Sequence, residues 1–158
     1  VRDPDIQRSL TNSAAYFKKN KKCVHCTMLA WDRKEKSRIV YETDCFTAVC
    51  PFASRVAFEI RIYPNAHNAY FEHIEEHQKD CLAKVFRVVL RKLYKGLANP
   101  DYNYFLHTSP ADGKKHDHYH WHFEILPKTS TWAGFELSTG IEISTIEPEK
   151  AAEHLRKQ

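Results

Sequence analysis

Between His116 and Pro127 the chain reads His-Asp-His-Tyr-His-Trp-His-Phe-Glu-Ile-Leu-Pro. No other stretch constrains the fold as strongly. Side chains of an extended strand alternate between two faces. A strand over His118–Leu126, closed by Pro127, therefore carries His118, His120, His122 and Glu124 on one face, with His116 in line just before it. Tyr119, Trp121, Phe123 and Ile125 share the other face. The aromatic face requires a packed layer beneath it, so the strand belongs to a covered sheet. A row of charged imidazoles would repel itself and is stable only if rings are neutral, hydrogen-bonded or metal-bound. Imidazole also suits attack on phosphorus. It is neutral near pH 7, loses no proton before attacking and leaves readily from a phosphoramidate.

Hydrophobic periodicity places this strand in an α+β domain. A first helix is expected over residues 5–20, with Asp3 or Asp5 as its cap, followed by a turn holding Cys23 and Cys26. Short strands are expected at 39–41 and 46–50, and an alternating strand at 56–63 closed by Pro64. The clearest helix covers about residues 71–97. Its stripe of Ile74, Cys81, Leu82, Val85, Phe86, Val89, Leu90, Leu93 and Leu97 recurs at helical spacing. A fourth strand is expected at 103–107, a loop at 109–113, an extended stretch at 132–144 and a closing helix at 148–156. The reading is one domain over 1–158: a mainly antiparallel sheet packed by one long helix and shorter terminal ones.

Length and composition agree. A chain of 158 residues suits one compact domain, which buries roughly two-thirds of its extended surface. Aromatic content of 13% excludes a disordered chain, and 4 Gly exclude a collagen-like one. No apolar run approaches the roughly 20 residues of a membrane helix, and no signal peptide is visible. Neither a membrane nor a nucleic-acid partner is expected. The net charge of +4 comes partly from Lys18–Lys22, which reads as a solvated helix end. The start at Val1 is expected of a processed piece or an excised domain. A reducing, cytoplasmic setting is the default for five cysteines without a secretion signal.

Cys23 and Cys26 form a CxxC pair, which reads as metal or redox chemistry. A tetrahedral site needs two more ligands. His67 follows Pro64 in a strand-to-helix connection, and His120 or His118 offers the fourth. His25 inside the CxxC, and His73, His77 and His154 on helices, read as surface residues. Cys45, Cys50 and Cys81 read as core or half-buried thiols. Ser109–Gly113 is a candidate phosphate cradle, and Asn103 a candidate donor to substrate.

The strand His120-Trp-His122-Phe-Glu124-Ile-Leu-Pro127 resembles the histidine-triad motif. The whole chain resembles one half, the C-terminal repeat, of galactose-1-phosphate uridylyltransferase-type proteins. Cys23-x-x-Cys26, Pro51–Arg55, Tyr63-Pro64-x-x-His67, Tyr102-Asn103 and Ala133–Gly140 carry the rest of the likeness. The resemblance implies transfer of a nucleoside monophosphate from a nucleotide sugar to a hexose 1-phosphate through a nucleotidyl-histidine. His122 falls on the nucleophile position, with Asn103, Ser109 and Glu124 as substrate-binding residues. Cys23, Cys26, His67 and His120 fall on a zinc site, one zinc per chain. An alternative register, His118/His120/His122, would make His120 the nucleophile. Glu124 stands where transferase repeats of the family carry Gln and the hydrolase branch carries His. The family's architecture implies a longer two-repeat chain or a homodimer. It leaves two alternatives: a non-catalytic half that completes a partner's site, and a nucleotide hydrolase.

Overall fold

The computed structural model describes residues 4–158, with side chains from residue 6 onward. The cap expected of Asp3 lies outside the described residues, and Asp5, the other candidate, falls inside α1 rather than before it. Five strands are present: β1 (Ile39–Glu42), β2 (Phe46–Val49), β3 (Ile60–Pro64), β4 (Tyr102–His107) and β5 (His122–Pro127). They form one sheet in the order β1-β2-β3-β5-β4, each pair antiparallel. Around it lie α1 (Pro4–Asn20), α2 (Val24–Glu35), α3 (Glu76–Gly96), α4 (Gly134–Thr139) and α5 (Pro148–Arg156). None of the described helices is long and apolar enough to cross a membrane.

The core forms where α3 lays Leu82, Val85, Val89 and Leu93 on the sheet face made by Phe46, Ala48, Ile60, Ile62, Trp121, Phe123 and Ile125. Fully burying an aliphatic side chain of this size contributes roughly 1.5–3 kcal/mol. The closing helix α5 adds Ala151, Ala152 and Leu155 to the same core. Arg156 fastens α5 to β1 by donating to the carbonyls of Ile39 (2.7 Å) and Ser37 (3.0 Å).

Five segments depart from their sequence expectation. The long helix begins later. A single 3₁₀ turn at Phe71–His73 precedes it, and Glu75 and Gln78 then start α3 with reciprocal side-chain caps. Strand β3 begins at Ile60 rather than 56, because Phe58 adopts φ 62° and a turn joins the Glu59 N–H to the Val56 carbonyl. The histidine strand is regular only from His122. Before it, the Tyr119 N–H closes a turn on His116, and the Trp121 N–H bonds to the Asn68 carbonyl outside the ladder. The imidazoles therefore do not form one continuous row. The stretch at 132–144 holds α4, which ends at Gly140 in the left-handed region with φ 68°. Finally, the CxxC is not a bare turn, since Cys23 caps the twelve-residue α2. The buried face of α2 is His25, Leu29 and Asp32. Two of these three are polar, so apolar periodicity does not reveal the helix.

Candidate metal centre and active site

Helix α2 presents Cys23 and Cys26 from its first turn to the loop after β3 and the segment before β5. Sγ of Cys26 lies 3.3 Å from Nδ1 of His67 and 3.3 Å from Nδ1 of His120. The ligand atoms of Cys23, Cys26, His67 and His120 all lie within 4.8 Å of one another. Each imidazole is aimed by its other nitrogen. Nε2–H of His67 donates to the Asp117 carbonyl and Nε2–H of His120 to the Pro64 carbonyl, both at 3.0 Å. Those bonds leave both Nδ1 lone pairs facing the thiols, the arrangement that second-shell partners give metal-binding histidines. The hydrogen bond from Cys26, helped by His120 and His67, holds the Cys23 thiol far below its ordinary range, and the resulting thiolate pushes Cys26 up. These four residues could hold one metal ion in a closed site.

On the other side of the same strand start lies a cavity of about 600 Å³, lined by Arg8, Arg55, Arg61, His25, His107, His122 and Glu124 among others. His122 is 3% exposed. Its Nδ1 donates to the His120 carbonyl at 3.0 Å, which leaves the Nε2 lone pair free to react. His107 stacks on the His122 ring at 4.8 Å and 14°, and Tyr63 and His25 wall it at 4.8 and 5.0 Å. Burial, with charge at His25, His107 and Arg61, holds His122 well below the ordinary imidazole value, so it is neutral at pH 7. Burial likewise pushes His25 down to about 4, and neither of its nitrogens finds a hydrogen-bond partner among the described residues.

Glu124 is buried and compensated. Arg61 Nε lies 3.3 Å from one carboxylate oxygen and Arg55 Nη1 3.7 Å from the other, and His107 Nε2 is 3.5 Å away. Arg61 also pairs with the fully buried Glu59 at 2.8 Å, and Arg55 with Glu142 at 3.0 Å. His107, His122 and Glu124 are close enough together to suggest a second cation site. The guanidinium groups already on Glu124 oppose a cation there. The arrangement instead places a neutral, oriented imidazole nitrogen beside guanidinium donors, as attack on a phosphoryl group requires.

The structure brings together Cys23, Cys26, His67 and His120, and separately His122 and Glu124. It leaves others apart. His118 packs edge-on against His116 and stays outside the metal cluster. Asn103 lies on the outermost strand β4 and lines a different cavity with Pro127, Trp132 and Glu142. Ser109 is buried, with its N–H donated to the Ala69 carbonyl at 3.0 Å, and is not part of the His122 cavity. His25, expected at the surface, is 7% exposed. Sequence reasoning assigned no site role to His107, Arg55 or Arg61. For His107 a signal exists: it ends β4 directly opposite His122.

The sheet, the long helix and the histidines His120 and His122 at the entry to β5 define an α+β domain of the histidine-triad type. A zinc-bound histidine triad family protein from Mycobacterium smegmatis shares this fold, with a TM-score of 0.59 at 18% identity, covering 85% of this chain and 91% of that one. Residues 9–157 match the C-terminal domain of galactose-1-phosphate uridyl transferase, and the chain belongs to that family. It is 33% identical to an ADP-glucose phosphorylase from Arabidopsis thaliana over 98% of its own length and 43% of the relative's. A crystal structure of an ADP-glucose phosphorylase from that plant, with bound ADP-glucose, superposes with a TM-score of 0.88 at 32% identity, covering all of this chain and 50% of that one. A galactose-1-phosphate uridylyltransferase from Thermotoga maritima is 30% identical over 90% of this chain and 46% of the relative. The chain thus spans about half the length of these relatives.

Proposed function

We propose that this chain is the zinc-built C-terminal half of a nucleotidyltransferase. The enzyme moves a nucleoside monophosphate, UMP, between a nucleotide sugar and a hexose 1-phosphate. The observation that carries this reading is the hydrogen bond from His122 Nδ1 to the His120 carbonyl. Nε2 of His122 attacks the α-phosphorus of the nucleotide sugar, and the bond to the bridging oxygen breaks, releasing the sugar 1-phosphate. The carbonyl of His120 stabilises the positive charge that the ring gains. Arg55 and Arg61 line the same cavity as His122, where their guanidinium groups would meet the phosphoryl oxygens. An oxygen of the second hexose 1-phosphate then attacks phosphorus, and His122 leaves neutral. Of the three expected substrate-binding residues, Glu124 alone lines this cavity.

The metal is zinc. Two thiolates and two imidazoles select it, and a tetrahedral site with ordinary bond lengths has S···N edges of about 3.6 Å. The 3.3 Å separations fall only a few tenths of an ångström short of that edge, so a slight expansion would seat one ion. With four protein ligands the ion is structural: it fixes α2, the loop after β3 and the approach to β5 as one unit. The working protein is a longer two-repeat chain or a dimer, located in the cytoplasm. Tyr102, Tyr104 and Phe105 on the outermost strand are exposed, which supports a covering partner.

A second reading has its own support. His122 is almost enclosed and Glu124 sets a carboxylate beside the phosphate position, which favours a half that completes a partner's site without catalysis. Incubating the zinc-loaded chain separately with UDP-glucose and ADP-glucose, then measuring intact mass, separates the two. The first reading gives an acid-labile gain of one UMP that His122→Ala abolishes. A gain of one AMP would reassign the base. No adduct with either donor assigns the chain to the second reading.

A further inference from the structure

One wall of the His122 cavity is a second imidazole. His25 is 7% exposed, and neither of its ring nitrogens has a hydrogen-bond partner among the described residues. Its ring lies 5.0 Å from that of His122, packs against Tyr63 and Tyr119, and lines the cavity with Arg8, Arg55 and Arg61. A phenyl ring would fill the same wall without burying two unpaired nitrogens, so packing alone does not account for the imidazole. The fold holds it in place. His25 sits in the first turn of α2 between Cys23 and Cys26, and at about 100° per residue it projects from a different side of the helix than those thiols do. We propose that His25 is a phosphate-binding residue, one ring N–H donating to a non-bridging phosphoryl oxygen of the nucleotide that the cavity takes.

The neighbouring cations make this donor matter. Arg61 is engaged by Glu59 at 2.8 Å and by Glu124 at 3.3 Å. Arg55 is engaged by Glu142 at 3.0 Å and by Glu124 at 3.7 Å. Carboxylates therefore offset much of the charge that these two guanidinium groups would offer a phosphate. His25 gives none of its hydrogen-bonding capacity to a carboxylate. In either tautomer of the ring one nitrogen carries a proton, and burial against Tyr63 and Tyr119 keeps water from competing for it. A ring 5.0 Å from His122 is within reach of an oxygen on a phosphoryl group seated at His122. The inference rests on the cavity being the nucleotide site, and it holds for a half that only binds as well as for one that transfers.

Calorimetric titration of the zinc-loaded chain with UMP, and separately with AMP, tests the contact. His25→Phe should weaken both nucleotides about tenfold, since the phosphate is what they share, and His25→Gln, whose amide offers an N–H, should recover part of that loss. Nitrogen NMR of the ¹⁵N-histidine-labelled wild-type chain needs no variant to fold, and there UMP should move the ring-nitrogen signals of His25. Equal UMP affinity in wild type and His25→Phe, a loss with one base and not the other, unmoved His25 signals, or no UMP binding by the wild-type chain overturns the proposal. The mass measurement with UDP-glucose stays independent. No adduct beside His25-dependent UMP binding removes transfer at His122 and upholds His25, whereas an adduct beside His25-independent binding removes His25 alone.

Discussion

Sγ of Cys26 and Nδ1 of His120 lie 3.3 Å apart although 94 residues separate them in the chain. The contact joins the first turn of α2 to the segment that feeds β5. His120 then does two things at once. Its ring reaches the thiols, and its carbonyl fixes the tautomer of His122. The Cys/His cluster and the His122 ring are thus joined through three consecutive residues.

Glu124 opposes the chemistry that His122 invites. Its carboxylate faces the same cavity and repels a phosphate, although Arg61 and Arg55 offset part of that field. Glu124→Gln keeps the size and removes the charge, and Glu59 still pairs with Arg61. UMP binding, measured by calorimetry on the zinc-loaded chain, should tighten about 3–10-fold, and less so at high salt. Unchanged affinity would show that the arginines already neutralise the carboxylate.

His25 is buried, and neither of its nitrogens has a hydrogen-bond partner among the described residues. Leaving such a group unpaired costs roughly 1–3 kcal/mol, whereas an apolar ring of similar shape avoids that cost. His25→Phe should therefore raise the melting temperature of the chain. If the ring contacts substrate across the cavity, the same variant should also slow labelling of His122. A lower melting temperature would mean that the imidazole is satisfied in solution.

The core prediction is simpler. Leu93 is 1% exposed where α3 meets the sheet. Leu93→Ala should cost about 2–5 kcal/mol in urea unfolding, with an unchanged dependence on denaturant.

Cys50 supplies an alkaline test. Burial, then the charge of Glu59, pushes its thiol from 9.0 up to about 12. A folded value above the unfolded one means that stability is fully present below about pH 9 and falls as pH rises toward 12. The slope for one such group is at most about 1.4 kcal/mol per pH unit. Cys50→Ala should be less stable at pH 7 yet decline less steeply above pH 9. Parallel decline in both proteins would assign the alkaline loss to other groups, such as Tyr63, which burial also pushes up to about 12.

Much of the fold is legible in the order of residues alone. The α3 stripe, the terminal helices and the short strands follow from periodicity, because each buries one regular face. The four metal-cluster residues follow from CxxC spacing together with the family resemblance. What stays hidden has physical causes. Helix α2 buries His25 and Asp32 rather than an apolar stripe. Alternation of residues cannot show that the chain turns at His116–Tyr119 and enters the ladder only at His122. The arginine–carboxylate network of Arg55, Glu59, Arg61 and Glu124 depends on β3 lying beside β5, a pairing that sequence spacing does not encode.

Zinc is what the account depends on most. X-ray absorption at the zinc edge, with metal content measured on the same sample, tests it directly. The expected result is one zinc per chain bound by two sulfurs at about 2.3 Å and two nitrogens at about 2.0–2.1 Å. Cys23→Ala/Cys26→Ala should lose that metal and melt at a lower temperature. A zinc shell of nitrogen and oxygen alone, or full zinc content in the double variant, would contradict it.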